Sequence, residues 1–215
     1  MTEHTARQHH NVTLAILAIG ALAFALAQTT VIPALTVMQH QFGVTTSDIT
    51  WMISGYFLAA SIATPVLGRL GDMFGKERFL AVSLAAFALG SAVSAVSTGL
   101  PLMVAGRVLQ GIGGGVFPLS FGIVRDEFPL AKIPTGIALL GATAGIGGAI
   151  GLPLGGLLVD QASYHWIFWM SAAMGAAATV TTLRYVPESP VRTPGKIDYA
   201  GAGILAAGLS AVLIA

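Results

Sequence analysis

Six times between residues 12 and 186 the chain stays apolar for about 20 residues, then breaks at a polar, glycine or proline cluster. A helix of about 20 residues crosses the ~30 Å hydrocarbon core of a bilayer, and lipid leaves the backbone only helices or a closed barrel to satisfy its polar groups. Spans are expected near 12–37, 49–70, 79–97, 100–124, 135–159 and 166–186. A seventh starts near Tyr199 and is still apolar at Ala215. The expected layout is an N-terminal tail (1–11), one six-helix domain (12–186), a linker (187–198) and the start of a further helix (199–215) in a longer protein. Only 9% of the residues are charged, against about 25% in soluble domains, which agrees with a lipid-facing surface.

The cations orient the spans. With residues 1–11 inside, Arg7, Arg69, Lys76, Arg78, Arg125, Lys132, Arg184, Arg192 and Lys196 fall on inside segments or the helix ends that adjoin them. The outside segments 38–48, 98–99 and 160–165 hold no Lys or Arg. The positive-inside rule therefore predicts a cytoplasmic-membrane protein with its N-terminus in the cytoplasm. An A-x-A pattern ends at Ala27, but the apolar run continues to Val37 and more spans follow, which argues against a cleaved leader. The chain has no cysteine, which excludes disulfides and cysteine nucleophiles, and its five histidines lack metal spacing. No metal, cofactor or nucleic-acid partner is expected.

Two short patterns recur. Pro65, Gly68, Leu70 and Asp72 near the end of the second span match Pro153, Gly156, Leu158 and Asp160 near the end of the fifth, 88 residues on. "VIPAL" around Pro33 is echoed by "VFPLS" around Pro118, 85 residues on. A shift of three spans reverses direction through the membrane, so spans 1–3 and 4–6 read as an inverted pair, a feature of secondary transporters.

The motifs between the spans are more specific. "GRLGDMFGKER" (68–78) resembles the signature loop of the major facilitator superfamily, G-x-L-[AG]-D-[RK]-x-G-[RK]-[RK], with Met73 and Glu77 departing from it. "GRVLQGIGGG" resembles the family's R-x-x-Q-G-x-G motif in helix 4. "GIGGAIGLPLGG" resembles the antiporter motif G-x-x-x-G-P-x-x-G-G of helix 5, with Pro153 one place late. "WMISGYFLA" is similar to the W-x-x-x-x-Y-x-L opening of helix 2 in drug:proton antiporters, and the short linker "PESPVRTPGKIDYAGAG" to their fourteen-helix branch. The resemblance covers nearly all of 12–215. It implies an all-α membrane fold, the N-terminal six-helix half built from two inverted three-helix repeats. It further implies proton-coupled efflux of a small molecule or drug by alternating access, with a C-terminal half, a coupling ion and the bilayer as partners. Alternatives are a solute importer of the same family and a membrane sensor that does not transport. An intramembrane enzyme finds no support in H-E-x-x-H, G-x-S-x-G or paired intraspan aspartates.

Residues then acquire expected roles. Gly68, Asp72, Gly75, Lys76 and Arg78 form the family's conformational latch between halves, Asp72 being the latch carboxylate or a plain helix cap, and Lys76 and Arg78 ordinary cytoplasmic cations. Gly147, Gly151, Pro153, Gly155 and Gly156 form a packing face that resists leak. Arg107 is the one cation inside a span, where a guanidinium costs at least about 2.5–3.5 kcal/mol, so it faces a cavity or partner unless it snorkels. Gln110 shares its helical face. Gln28, Thr29, Trp51, Tyr56, Arg107 and Gln110 are expected to line the substrate and coupling cavity. The fourteen-helix branch commonly carries an acid in helix 1 where this chain has Ala27, and all nine Asp and Glu fall in the expected loops or helix ends, so these six spans offer no obvious intramembrane carboxylate.

Overall fold

A computed structural model describes residues 2–188 and 208 of the chain, and among them the only regular elements are helices. In chain order these are α1 (Thr2–Thr29), α2 (Leu35–Phe42), α3 (Thr46–Phe74), α4 (Lys76–Ala95), α5 (Leu100–Gly111), α6 (Val116–Glu127), α7 (Ile133–Gln161) and α8 (His165–Tyr185). They make six segments long and apolar enough to cross a membrane: α1 from His10 onward with α2, α3, α4, α5 with α6, α7, and α8. Of the expected linker and seventh span only Pro187, Glu188 and Gly208 are among the described residues, and the rest lie outside them.

The first and fourth segments are not continuous α-helices, contrary to the expected spans. A 3₁₀ turn at Ile32–Ala34, carrying Pro33, separates α1 from α2, because proline has no N–H to continue the ladder. A second 3₁₀ turn, Ile112–Gly115, separates α5 from α6 three residues before Pro118. Pro118 withholds the N–H that would have bonded the Gly114 carbonyl, and the Thr64 hydroxyl of α3 lies 3.0 Å from that oxygen. Pro65 and Pro153, matched in the repeat, both lie inside long helices, α3 and α7.

Local chemistry sets the helix ends. Thr45 and Asp48 make a reciprocal capping box at the start of α3, the Asp48 N–H donating to Thr45 Oγ1 at 3.2 Å and the Thr45 N–H to Asp48 Oδ2 at 3.0 Å. Gly43 closes α2 in the left-handed conformation at φ 64°. The tail expected at 1–11 is helical from Thr2, and His10 in it lies with Nε2 2.7 Å from the Glu127 carbonyl, which ties the start of the first segment to the end of the fourth.

Packing is uneven. α4 lies against α5 and α8, α1 against α7 and α8, and α3 against α5. The first segment is 61% buried over its most apolar stretch, whereas α7 is only 17% buried and shows most of its surface to whatever surrounds the bundle. One apolar cluster (Ile16, Leu17, Leu67, Leu80, Leu84, Leu119, Ile123) joins α1, α3, α4 and α6. Another (Val31, Met38, Met52, Met103, Ile167, Phe168) fills the opposite end.

Candidate functional site

Arg107 and Gln110, three residues apart on α5, point together into the bundle, and each is 1% exposed. The guanidinium lies 4.1 Å from the centre of the Tyr56 ring of α3, a cation–π contact. Its Nε donates to the Met52 carbonyl at 3.4 Å, and its NH1 donates to Gln110 Oε1. Gln110 Nε2 donates in turn to Ser91 Oγ of α4 at 2.7 Å. No ion pair among the described residues includes Arg107. A full positive charge is thus held by neutral acceptors and an aromatic face, and the snorkelling alternative is excluded by its burial. Gln28 of α1 stands beside the Tyr56 hydroxyl, and the Phe24 and Tyr56 rings stack with centroids 5.8 Å apart, so α1 adjoins the same spot.

Two of the six residues expected to line the cavity do not touch the Arg107 cluster. Trp51 is 46% exposed. At about 100° per residue it points to a different side of α3 from Tyr56, five positions later. Thr29 faces α7, its hydroxyl 3.3 Å from the Gly147 carbonyl. Its place follows from the glycine face of α7: a Cβ on Gly151 would collide with the Thr29 side chain, one on Gly155 with the Thr30 backbone, and one on Gly147 would lie 2.6 Å from Ala25 Cβ. The packing partner of Gly147, Gly151 and Gly155 is therefore α1. Gly156 does not share that face, since nothing lies within 4 Å of where its Cβ would be. Pro153 is exposed.

The second polar cluster sits where α3 meets α4. Lys76, expected as an ordinary loop cation, is 7% exposed, and its Nζ lies 3.0 Å from Asp72 Oδ1 and 2.7 Å from Asp126 Oδ2 of α6. Room for its stem comes from Gly122, where a Cβ would lie 2.7 Å from Lys76 Cδ and Cε. Asp72 lies in the last turn of α3 and caps no helix, because the N-cap of α4 is Gly75, which has no side chain to bond. Gly68, one turn earlier, packs beside Pro118 of α6. Arg78 is exposed and pairs with Glu188 at 3.0 Å. A cavity of about 500 Å³ opens between α3 and α6 here, lined among others by Arg69, Asp72, Lys76, Arg125 and Asp126.

This arrangement can be set beside known proteins. The family model described as Major Facilitator Superfamily matches residues 17–214. The chain belongs to the major facilitator superfamily. It is 31% identical over 200 residues to Multidrug resistance protein 3 of Bacillus subtilis, covering 93% of this chain and 39% of that protein. It is also 31% identical over 199 residues to the Tetracenomycin C resistance and export protein of Streptomyces glaucescens, covering 92% and 37%. The chain thus spans about two fifths of the length of these curated relatives. Among solved structures the fold matches a D-xylose-proton symporter with a TM-score of 0.74 at 15% identity, over 85% of this chain and 49% of that one. The described residues are accordingly the six-helix half of a major facilitator fold in a multi-pass membrane protein.

Within this major facilitator half, sequence reading missed Ser91, Met52 and Asp126. Ser91 is one of many small polar residues in apolar spans, and Met52 contributes only a backbone carbonyl, so neither leaves a sequence signal. Asp126 did leave one. It follows Gly122 by four residues, on the same face of α6, at the charged end of a span.

Proposed function

We propose that the full-length protein is a secondary active exporter of a small molecule in the cytoplasmic membrane. It has its N-terminus in the cytoplasm and works by alternating access between this half and a C-terminal half beyond the chain described. The observation that carries the reading is the Arg107 core, a buried guanidinium with neutral partners only. Such a charge has a strong field in a low-dielectric interior and responds to any anion brought near it. An anionic group of the substrate, or a carboxylate from the rest of the protein whose proton is the coupling ion, would supply that anion. The two export and resistance relatives favour efflux. Asp72, Gly75 and Lys76 would form the latch that stabilises one of the two access states, and the α7–α1 glycine face would keep the half rigid against leak while it rocks.

Vesicles carrying the full-length protein, with an imposed pH gradient and ethidium as the probe, test this. Ethidium should move against its gradient when protons run the other way, and Arg107→Gln should abolish at least nine tenths of that flux. Movement along the proton gradient would favour the importer, and no movement of ethidium or of a panel of organic anions would favour the sensor. Orientation is tested separately: cysteines at Thr98 and Gln161, both exposed, should react with an impermeant thiol reagent from outside, and one at Leu130, 87% exposed, should not.

A further inference from the structure

We propose that Ser91 is a positioning residue for Arg107, acting through Gln110; the importance given to it for transport rests on the reading of Arg107 above. A serine hydroxyl has one proton. That of Ser91 is given to the Phe87 carbonyl four residues earlier on α4, at 2.7 Å. Its oxygen is left only as an acceptor, and it takes the Gln110 amide N–H at 2.7 Å. The carboxamide of Gln110 can point either of two ways, and its two ends differ only in which carries hydrogen. With the NH₂ end claimed by Ser91, the oxygen must face Arg107 NH1. In the opposite orientation two sets of N–H donors would confront each other in a site closed to water, Gln110 and Arg107 each being 1% exposed and Ser91 0%. Arg107, which has only donors, and the acceptor oxygen of Ser91 thus select the same orientation of the carboxamide, and Ser91 holds its amide end in place.

The backbone makes the contact obligatory. A Cβ on Gly90, beside Ser91, would collide with the backbone nitrogen of Gln110 and lie 2.6 Å from the Gly106 carbonyl. A Cβ on Gly106, beside Arg107, would lie 2.8 Å from Ser94 N and 2.9 Å from the Gly90 carbonyl. The two helices touch through bare backbone on both sides of the relay, so α4 delivers Ser91 to Gln110 at a fixed distance. The chain Phe87 carbonyl, Ser91 hydroxyl, Gln110 amide, Arg107 guanidinium, Met52 carbonyl links α4, α5 and α3 by hydrogen bonds that all start from Arg107, which donates one way to Met52 and the other way, through Gln110 and Ser91, towards Phe87.

The test uses the full-length protein in lipid nanodiscs, labelled with ¹⁵N at glutamine side-chain amides and arginine Nε. Gln110→Leu and Arg107→Lys assign the two signals. Ser91→Ala should shift both the Gln110 amide and the Arg107 Nε resonances and speed proton exchange of the amide on the order of tenfold. Ser91→Thr, which keeps the hydroxyl, should restore both. In a Gln110→Leu background Ser91→Ala should leave the Arg107 signal where Gln110→Leu alone puts it, which keeps the test decisive if threonine does not fit. In the ethidium assay Ser91→Ala should slow the initial rate on the order of fivefold, with expression and KM close to wild type. An Arg107 signal unmoved by Ser91→Ala, or moved equally with and without Gln110, overturns the positioning role. Normal ethidium flux in Arg107→Gln instead defeats the transport reading and leaves the spectra to decide Ser91.

Discussion

Lys76 and Arg107 are both buried cations, and the bundle treats them oppositely. Lys76, 7% exposed at the joint of α3 and α4, sits between the carboxylates of Asp72 and Asp126 at 3.0 and 2.7 Å. Arg107, 1% exposed in the middle of the bundle, has a carbonyl, a carboxamide oxygen and a tyrosine ring. An ion pair that removes one partner leaves an uncompensated charge behind, whereas a cation among neutral acceptors leaves only neutral groups. The first arrangement is therefore a structural fastening whose parts need one another. The second holds a charge with no charged partner among the described residues, which is the arrangement that the proposed coupling role needs and a fastening does not.

Three substitutions press on that contrast, measured as the stability of the full-length protein in detergent. Lys76→Ala should cost the most, about 3–5 kcal/mol, because Asp126 and Asp72 then face each other without their shared cation. Adding Asp126→Asn to it should recover a good part of the loss, and no recovery would mean that packing of the lysine stem on Gly122 carries the effect. Arg107→Met should stay within about 1 kcal/mol of wild type, the lost contacts offset by the removal of a desolvated charge, while ethidium transport disappears. A loss as large as that of Lys76→Ala would erase the distinction between the two sites. Arg78→Ala should be the mildest, under about 0.5 kcal/mol, since its pair with Glu188 has side chains 64% and 36% exposed.

How far these two sites could be read in advance follows from the range of the interactions that build them. The six spans are legible because hydropathy over about 20 residues is a local property. Arg107 and Gln110 are legible too, since three residues on a helix fix a shared face without any tertiary knowledge. The breaks at Ile32–Ala34 and Ile112–Gly115 are signalled by Pro33 and by the glycine run before Pro118, but whether such signals bend a span or are absorbed depends on neighbours such as Thr64. Lys76 reads as an ordinary cytoplasmic cation in the sequence because its second acid lies 50 residues away on another helix. That Thr29 and Trp51 stand apart from the Arg107 cluster is not legible for a similar reason: helical periodicity says which residues share a side, and only packing says what that side meets. The single hydroxyl of Ser91 is beyond sequence altogether, since its meaning lies in a distance to Gln110.

The joint between α3 and α4 is one residue long. Gly75, at φ 122° and ψ 121°, is the whole connection between Phe74 and Lys76, and its N–H still bonds back to Gly71 while its carbonyl receives Phe79 at 3.4 Å. Elsewhere the chain leaves several residues of slack, as between Ala95 and Leu100 or Gln161 and His165. In mechanical terms α3 and α4 are two arms joined by a single pin, with no spare residue between them. Asp72 is on one arm beside the pin, Lys76 is the first residue of the other, and Ser91 stands about 22 Å further along that second arm at about 1.5 Å per residue. The ion cluster and the hydroxyl that bonds Gln110 thus share one continuous helix, so a shift of α4 along its axis moves both together.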